Sequence, residues 1–191
     1  ETKTEIDFEI FKTLQIKNVG FEEYREADIF QVKRLEDEKN NDFISRVASY
    51  VIEKEAPISL ETLCIRLAVL LGYKKLCPGL QNSVENILNE KSDTFVQKDG
   101  FFIHKDTEVS ARKAGSRAIN QIASEELEKC VLAAVKSSVG ISTDSLSLYT
   151  SKLMGFSRMT PTISKVLEKI RDDLVKKNQL KIDGTKVRLA D

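Results

Sequence analysis

The chain has 191 residues, with 30 Lys and Arg against 30 Asp and Glu and 41% hydrophobic residues. That balance excludes a disordered or collagen-like chain, and no apolar run approaches the length needed to span a bilayer. One histidine and three scattered cysteines (Cys64, Cys77 and Cys130) do not have the spacing of a zinc site. No metal and no cofactor is expected, and the thiols read as small buried groups of a reducing, cytoplasmic compartment.

In chain order, residues 1–40 carry 7 basic against 11 acidic side chains. They read as a partly ordered N-terminal extension, with Phe8, Ile10, Phe11, Leu14 and Ile16 as apolar anchors. The start at Glu1 without methionine suggests a piece of a longer protein. Ile44, Val47, Val51 and Ile52 recur at helical spacing up to Ala56-Pro57, where proline disfavours helix in the residue before it. Ser59 is placed to cap a second helix bearing Leu60, Leu63, Leu67, Leu70 and Leu71, and Gly72 to end it. Pro78 suits the first turn of a third helix, with Cys77 just outside it and Leu80, Val84, Ile87 and Leu88 as its stripe. The period then changes: Phe95 to Lys98 and Phe101 to His104 flank Asp99-Gly100, a hairpin signal.

Residues 105–124 read as a linker, with a short helix expected from Ala118 to Ile122. The plan then repeats. Leu127 to Val135, Ser142 to Met154 and Pro161 to about Lys177 are three helices, with Thr160 as the cap of the third. Leu180 to Ile182 and Lys186 to Leu189 flank Asp183-Gly184. A shift of 83 residues superimposes Ile58 and Ser59 on Ile141 and Ser142, Leu63 on Leu146, Gly72 on Gly155, Pro78 on Pro161 and Glu85 on Glu168. Three helices and a two-stranded wing, twice, predict a mainly α chain with short β-hairpins (α+β): tandem winged-helix repeats over 41–104 and 125–191.

Catalysis has little to stand on. The sequence holds no phosphate-binding Gly-rich Lys-Ser/Thr loop, nucleophile elbow or His-Glu-x-x-His helix. Asp172 and Asp173 are adjacent on a helix and diverge, and His104 ends a strand. The fragment is not expected to be an enzyme, and no catalytic residue is assigned.

Nucleic-acid binding is the sharper expectation. The third helix of a winged helix usually enters the major groove while the wing touches phosphates. In the second copy this makes Arg158, Thr162, Ser164, Lys165, Lys169, Lys186 and Arg188 the candidate contacts, with Lys176 also left to solvent. In the first they are Lys74, Lys75, Gln81 and Asn82, beside the acidic Glu85, Glu90 and Asp93. Residues 125–191 carry 12 basic against 9 acidic side chains, whereas residues 41–104 carry 7 against 8, so the positive field sits at the C-terminal copy. Short hydroxyls among lysines suit DNA backbone contact without sequence preference. The alternative is a protein–protein or interdomain docking module without DNA contact. An apolar patch on the third helix or wing would favour docking.

The segments Leu71-Gly72-Tyr73-Lys74-Lys75 and Met154-Gly155-Phe156-Ser157-Arg158 carry a family resemblance. So do Arg112 and the run Ile122-Ala123-Ser124-Glu125-Glu126-Leu127. From Tyr24-Arg25-Glu26-Ala27 onward the chain resembles the C-terminal tandem-repeat region of large bacterial superfamily I helicase-related proteins, which are helicase–nuclease fusions. The resemblance implies an accessory module that presents DNA to a motor, with the parent's helicase and nuclease-like domains as partners. ATP hydrolysis would lie elsewhere in such a parent. Cys77-Pro78-Gly79 and Thr160-Pro161-Thr162 depart from the Gly-Ser-Arg-type turn of that family, so its arginine has no counterpart here.

Overall fold

The computed structural model describes residues 19–76, 78–91, 93–138 and 140–190. The apolar residues proposed as anchors between Phe8 and Ile16, and Cys77, lie outside them. The chain divides into two compact units, Arg25–Val109 and a second whose described residues are 19–24 with 110–190. Both are mixed α and β, each with three helices and one three-stranded antiparallel sheet.

The first unit runs α1 (Asn40–Glu55), β1 (Ile58–Ser59), α2 (Leu60–Leu70), α3 (Pro78–Glu90), β2 (Phe95–Lys98) and β3 (Phe101–His104). The second runs α4 (Ser124–Ser137), β4 (Ile141–Ser142), α5 (Thr143–Leu153), α6 (Pro161–Lys176), β5 (Leu180–Asp183) and β6 (Lys186–Leu189). The sheet orders match, β1-β3-β2 and β4-β6-β5. Ile58 pairs with Phe102 as Ile141 pairs with Val187. The short strands β1 and β4, absent from the sequence expectation, make each hairpin a sheet.

Local signals explain the element boundaries. Ser59 Oγ accepts the Thr62 N–H and Ser142 Oγ the Ser145 N–H, both at 3.1 Å. Gly72 (φ 75°) and Gly155 (φ 82°) end α2 and α5 in the left-handed region. There Tyr73 N–H bonds back to Ala68 O and Phe156 N–H to Ser151 O, the two-bond glycine stop that satisfies carbonyls at the helix end. Thr160 Oγ1 accepts from Ile163 N–H, capping α6 at Pro161.

Each core is formed by one apolar stripe per helix. Val47, Leu63, Leu67, Val84 and Leu88 meet Phe95 and Phe102 in the first unit. Leu127, Val131, Leu146, Leu167 and Leu174 meet Leu180 and Val187 in the second. Val166 is half-buried against this second core.

Described residues of the N-terminal stretch and of the linker pack into the two cores. Ala27 and Ile29 lie in the first core, and Ala114, Ile119 and Ile122 in the second. The expected short helix is a 3-10 turn over Ile119–Gln121, matched by Ile29–Gln31 in the first unit. The second hairpin turns at Gly184-Thr185, because Asp183 pairs with Lys186 as the last residue of β5. Asp99 and Gly100 are both left-handed (φ 51° and 79°), the pattern of a type I′ turn. In the second hairpin only Gly184 is (φ 59°), as at the first position of type II′.

Candidate nucleic-acid interface

Burial of Ile163, Leu167, Ile170 and Leu174 fixes the rotation of α6 and turns its other face outward. Thr162, Lys165 and Lys169 are exposed on that face, and Arg158 is exposed in the turn before it. Lys186 and Arg188 are exposed on the outer side of β6. Among the described residues Arg158, Lys165, Lys169 and Lys186 make no ion pair, and Arg188 only approaches Asp183 at 4.0 Å.

The end of α6 differs. Arg171 pairs with Asp172 at 2.7 Å, Lys176 with Asp173 at 3.1 Å and Lys177 with Glu128 at 2.6 Å. Positive charge is therefore neutralised along the last turns of α6 and left without an ion pair at Arg158, Lys165, Lys169 and, on β6, Lys186. Lys176 belongs to the paired set. Ser164 is half-buried and donates to Glu168 Oε1 at 2.6 Å, so its hydroxyl is already engaged within the helix.

In the first unit Lys74, Lys75 and Asn82 are exposed and Gln81 is half-buried. Glu85 and Glu90 share α3 with them. The notable surface here is apolar: Ile65, Val69 and Tyr73, four residues apart along α2 and just past its end, are 44%, 56% and 53% exposed. This stripe lies on the second helix, not on the third helix or wing. The aligned Leu148 is buried, and Phe156 is half-buried.

Sequence reasoning missed the two buried carboxylates. Glu126 of α4 accepts from Arg112 at 2.6 Å and 3.2 Å and from Arg117 at 2.7 Å and 3.0 Å. Both guanidinium carbons lie over the Tyr24 ring, 5.4 Å and 4.0 Å from its centroid. Glu55, the last residue of α1, accepts the Ala27 N–H at 2.8 Å and Arg66 at 2.9 Å. The available signal was phase: Glu126 falls between Ile122 and Cys130 on a core stripe, and Glu55 follows Val51 at the same interval. Arg112 and Glu126, singled out for family resemblance, are thus an internal clamp.

His104 and the two described cysteines sit in packed surroundings. His104 packs edge-on to Phe95 at 5.8 Å, and its Nδ1 accepts from the Asp106 N–H. Burial, with Glu85 nearby, pushes the Cys64 thiol up to about 11. Burial pushes Cys130 up to about 12, with Glu126 acting in the same direction. No group of three or more His, Cys, Asp or Glu side chains that could hold a metal ion occurs among the described residues, and none of their helices is long and apolar enough to cross a membrane. No family model, curated protein or solved structure matches the chain.

Proposed function

We propose that the chain is a pair of tandem winged-helix repeats acting as a non-catalytic DNA-binding module, and that the second repeat carries the contact. One observation supports this reading above others. Arg158, Lys165, Lys169 and Lys186 are exposed without acidic partners, while the cations at the other end of the same helix are each paired. Cations left uncompensated at the start of a third helix and on a wing suit the phosphate rows on either side of a major groove. The side chains are lysines and short hydroxyls without base-reading forks, so the binding proposed is indifferent to sequence. Attachment to a helicase and nuclease-like parent, and presentation of a duplex or junction to its motor, extends the proposal through the family resemblance.

The test is fluorescence anisotropy of the 191-residue chain against duplex and forked DNA across a salt series. Lys165→Glu with Lys169→Glu should weaken binding about equally for all sequences and reduce the salt slope by about 2, roughly one for each phosphate no longer neutralised. Unchanged affinity and slope in that double variant would remove this surface from the reading.

A second reading rests on the Ile65, Val69 and Tyr73 stripe, whose exposure favours docking of the first repeat on another protein surface. Wild-type protein that ignores DNA at low salt would favour it.

A further inference from the structure

The two repeats differ at one place between the end of their first helix and the wing. Aligned through the strand pairs Ile58–Phe102 and Ile141–Val187, the residues Glu55, Pro57, Ile103 and His104 correspond to Ser138, Gly140, Arg188 and Leu189. In the first unit Glu55, Pro57 and Ile103 are buried and His104 packs on Phe95. In the second unit the same place is an open cleft of about 330 Å³.

Val135, Val187 and Leu189 give the cleft an apolar floor, Gly140 leaves one side without a side chain, and Lys136 and Arg188 stand at its rim. A Cβ at Gly140 would lie 3.5 Å from Lys186 Cδ and 3.8 Å from Arg188 Nε, so two cationic side chains lean over this position. The cleft abuts the C-terminal end of α4, whose carbonyl dipoles disfavour a bare anion inside it. The Val135 carbonyl there already accepts from the Ser138 N–H and hydroxyl, and the apolar floor suits a neutral, flat group. The cationic mouth suits an anion attached to that group. A nucleotide has both parts.

We propose that this cleft takes one unpaired nucleobase of a DNA strand, with the flanking phosphates on Lys186 and Arg188. The volume is near the lower end for a ligand site and admits a single base. This inference rests on the DNA-binding reading and deepens it. A duplex held on α6 with the neighbouring unpaired base in the cleft makes a duplex–single-strand junction the preferred substrate, rather than a blunt duplex.

Backbone amide NMR of the full chain, titrated with a short oligothymidylate and with a blunt duplex, tests it. Oligothymidylate should shift the amides of Gly140, Val187 and Leu189. Gly140→Asn fills the slot with a residue that tolerates the left-handed backbone found there (φ 73°). It should weaken single-strand binding by about tenfold and blunt-duplex binding by clearly less, since Lys165 and Lys169 are untouched. Because a variant can misfold, the wild-type shifts stand as an independent readout. Shifts at Lys165 and Lys169 without any at Gly140, Val187 and Leu189 would overturn the cleft and leave the α6 reading standing. So would unchanged single-strand affinity in a folded Gly140→Asn. Shifts at the cleft alone would support the cleft and overturn the α6 reading. No shift with either DNA would overturn both.

Discussion

In the Arg25–Val109 unit the buried carboxylate sits in the last turn of the first helix, at Glu55. In the second unit it sits in the first turn, at Glu126. Each holds the segment that leads into its helix bundle, but by different means. Glu55 takes the Ala27 N–H and the Arg66 guanidinium, which also reaches Glu26 at 3.1 Å. Glu126 takes two guanidiniums, both nearly buried and both stacked on Tyr24. The lead-in segment is therefore held in one unit through a guanidinium shared with the half-exposed Glu26 and in the other through two guanidiniums on one buried carboxylate. The comparison shows that repeat sequence similarity marks the helices and strands, while the joints between them were solved separately.

The largest expected effect breaks the stronger joint. Glu126→Ala strands Arg112 and Arg117 in a buried site and should cost about 3–5 kcal/mol. Native-state hydrogen exchange checks this at Leu127, Val131 and Leu174, with Val47 and Val51 of the first unit as the internal control. Equal loss in both units would mean the cluster is not a local joint. Glu55→Gln should cost less, about 1–3 kcal/mol, since an amide oxygen still serves Ala27 and Arg66 keeps Glu26. A loss at Val47 and Val51 as large as that of the first variant would erase the distinction between the joints.

A smaller effect sharpens the contrast in another way. From Ile29 to Ile58 is 29 positions, but from Ile119 to Ile141 is 22, and the extra seven fall in residues 33–39. Arg46 closes this insertion, bonding Glu38 at 2.8 Å and 3.0 Å and the Lys33 carbonyl at 2.7 Å. The Arg46 hydrogen bond, helped by the Leu35 N–H, holds the Glu38 carboxyl below its ordinary value of 4.5. A lowered carboxylate stabilises the folded form fully above the ordinary value, and that contribution fades as pH falls through the lowered one. Acid titration followed at the amides of Leu35 and Glu38 should show the insertion loosening below pH 4.5, and Glu38→Gln should flatten that response. A response unchanged in the variant would assign it to another group.

The smallest effect is chemical. With thiols raised to about 11 at Cys64 and about 12 at Cys130, alkylation of the folded chain at about pH 8 should be far slower than in urea. Peptide-resolved mass spectrometry reads this directly. Native-state labelling of Cys130 at the urea rate would contradict its burial.

The helices and hairpins were legible because proline, glycine and cap residues punctuate them: Ser59, Gly72, Pro78 and their partners 83 residues on stand where the chain changes direction. The first lead-in segment was not, since the 3-10 turn Ile29–Gln31 is too short to show a period and the Ala27 N–H before it is held by Glu55, 28 positions on. The second hairpin turn, at Gly184-Thr185, was misplaced by one residue because Asp-Gly suits a type I′ turn as well as the start of a II′ turn. Of the candidate interface, exposure could be read from the apolar stripe of α6. Pairing could not, because Lys177 finds its acid 49 positions away at Glu128 and Ser164 spends its hydroxyl on Glu168.

The short bridge between Glu22 and Arg112 has a bearing on synthesis. Its bonds, Lys113 N–H to Glu22 O at 2.8 Å and Glu22 N–H to Ala111 O at 3.3 Å, join stretches on either side of Arg25–Val109. The first unit is thus a cassette spliced into the second. A ribosome completes the cassette while residues 19–24 still lack their partners, and the outer unit closes only when the residues from Ser110 onward have emerged. Trimming the chain just before Arg25 would spare the unit next to the cut and unseat Tyr24 from Arg117, wounding the one encoded farthest away.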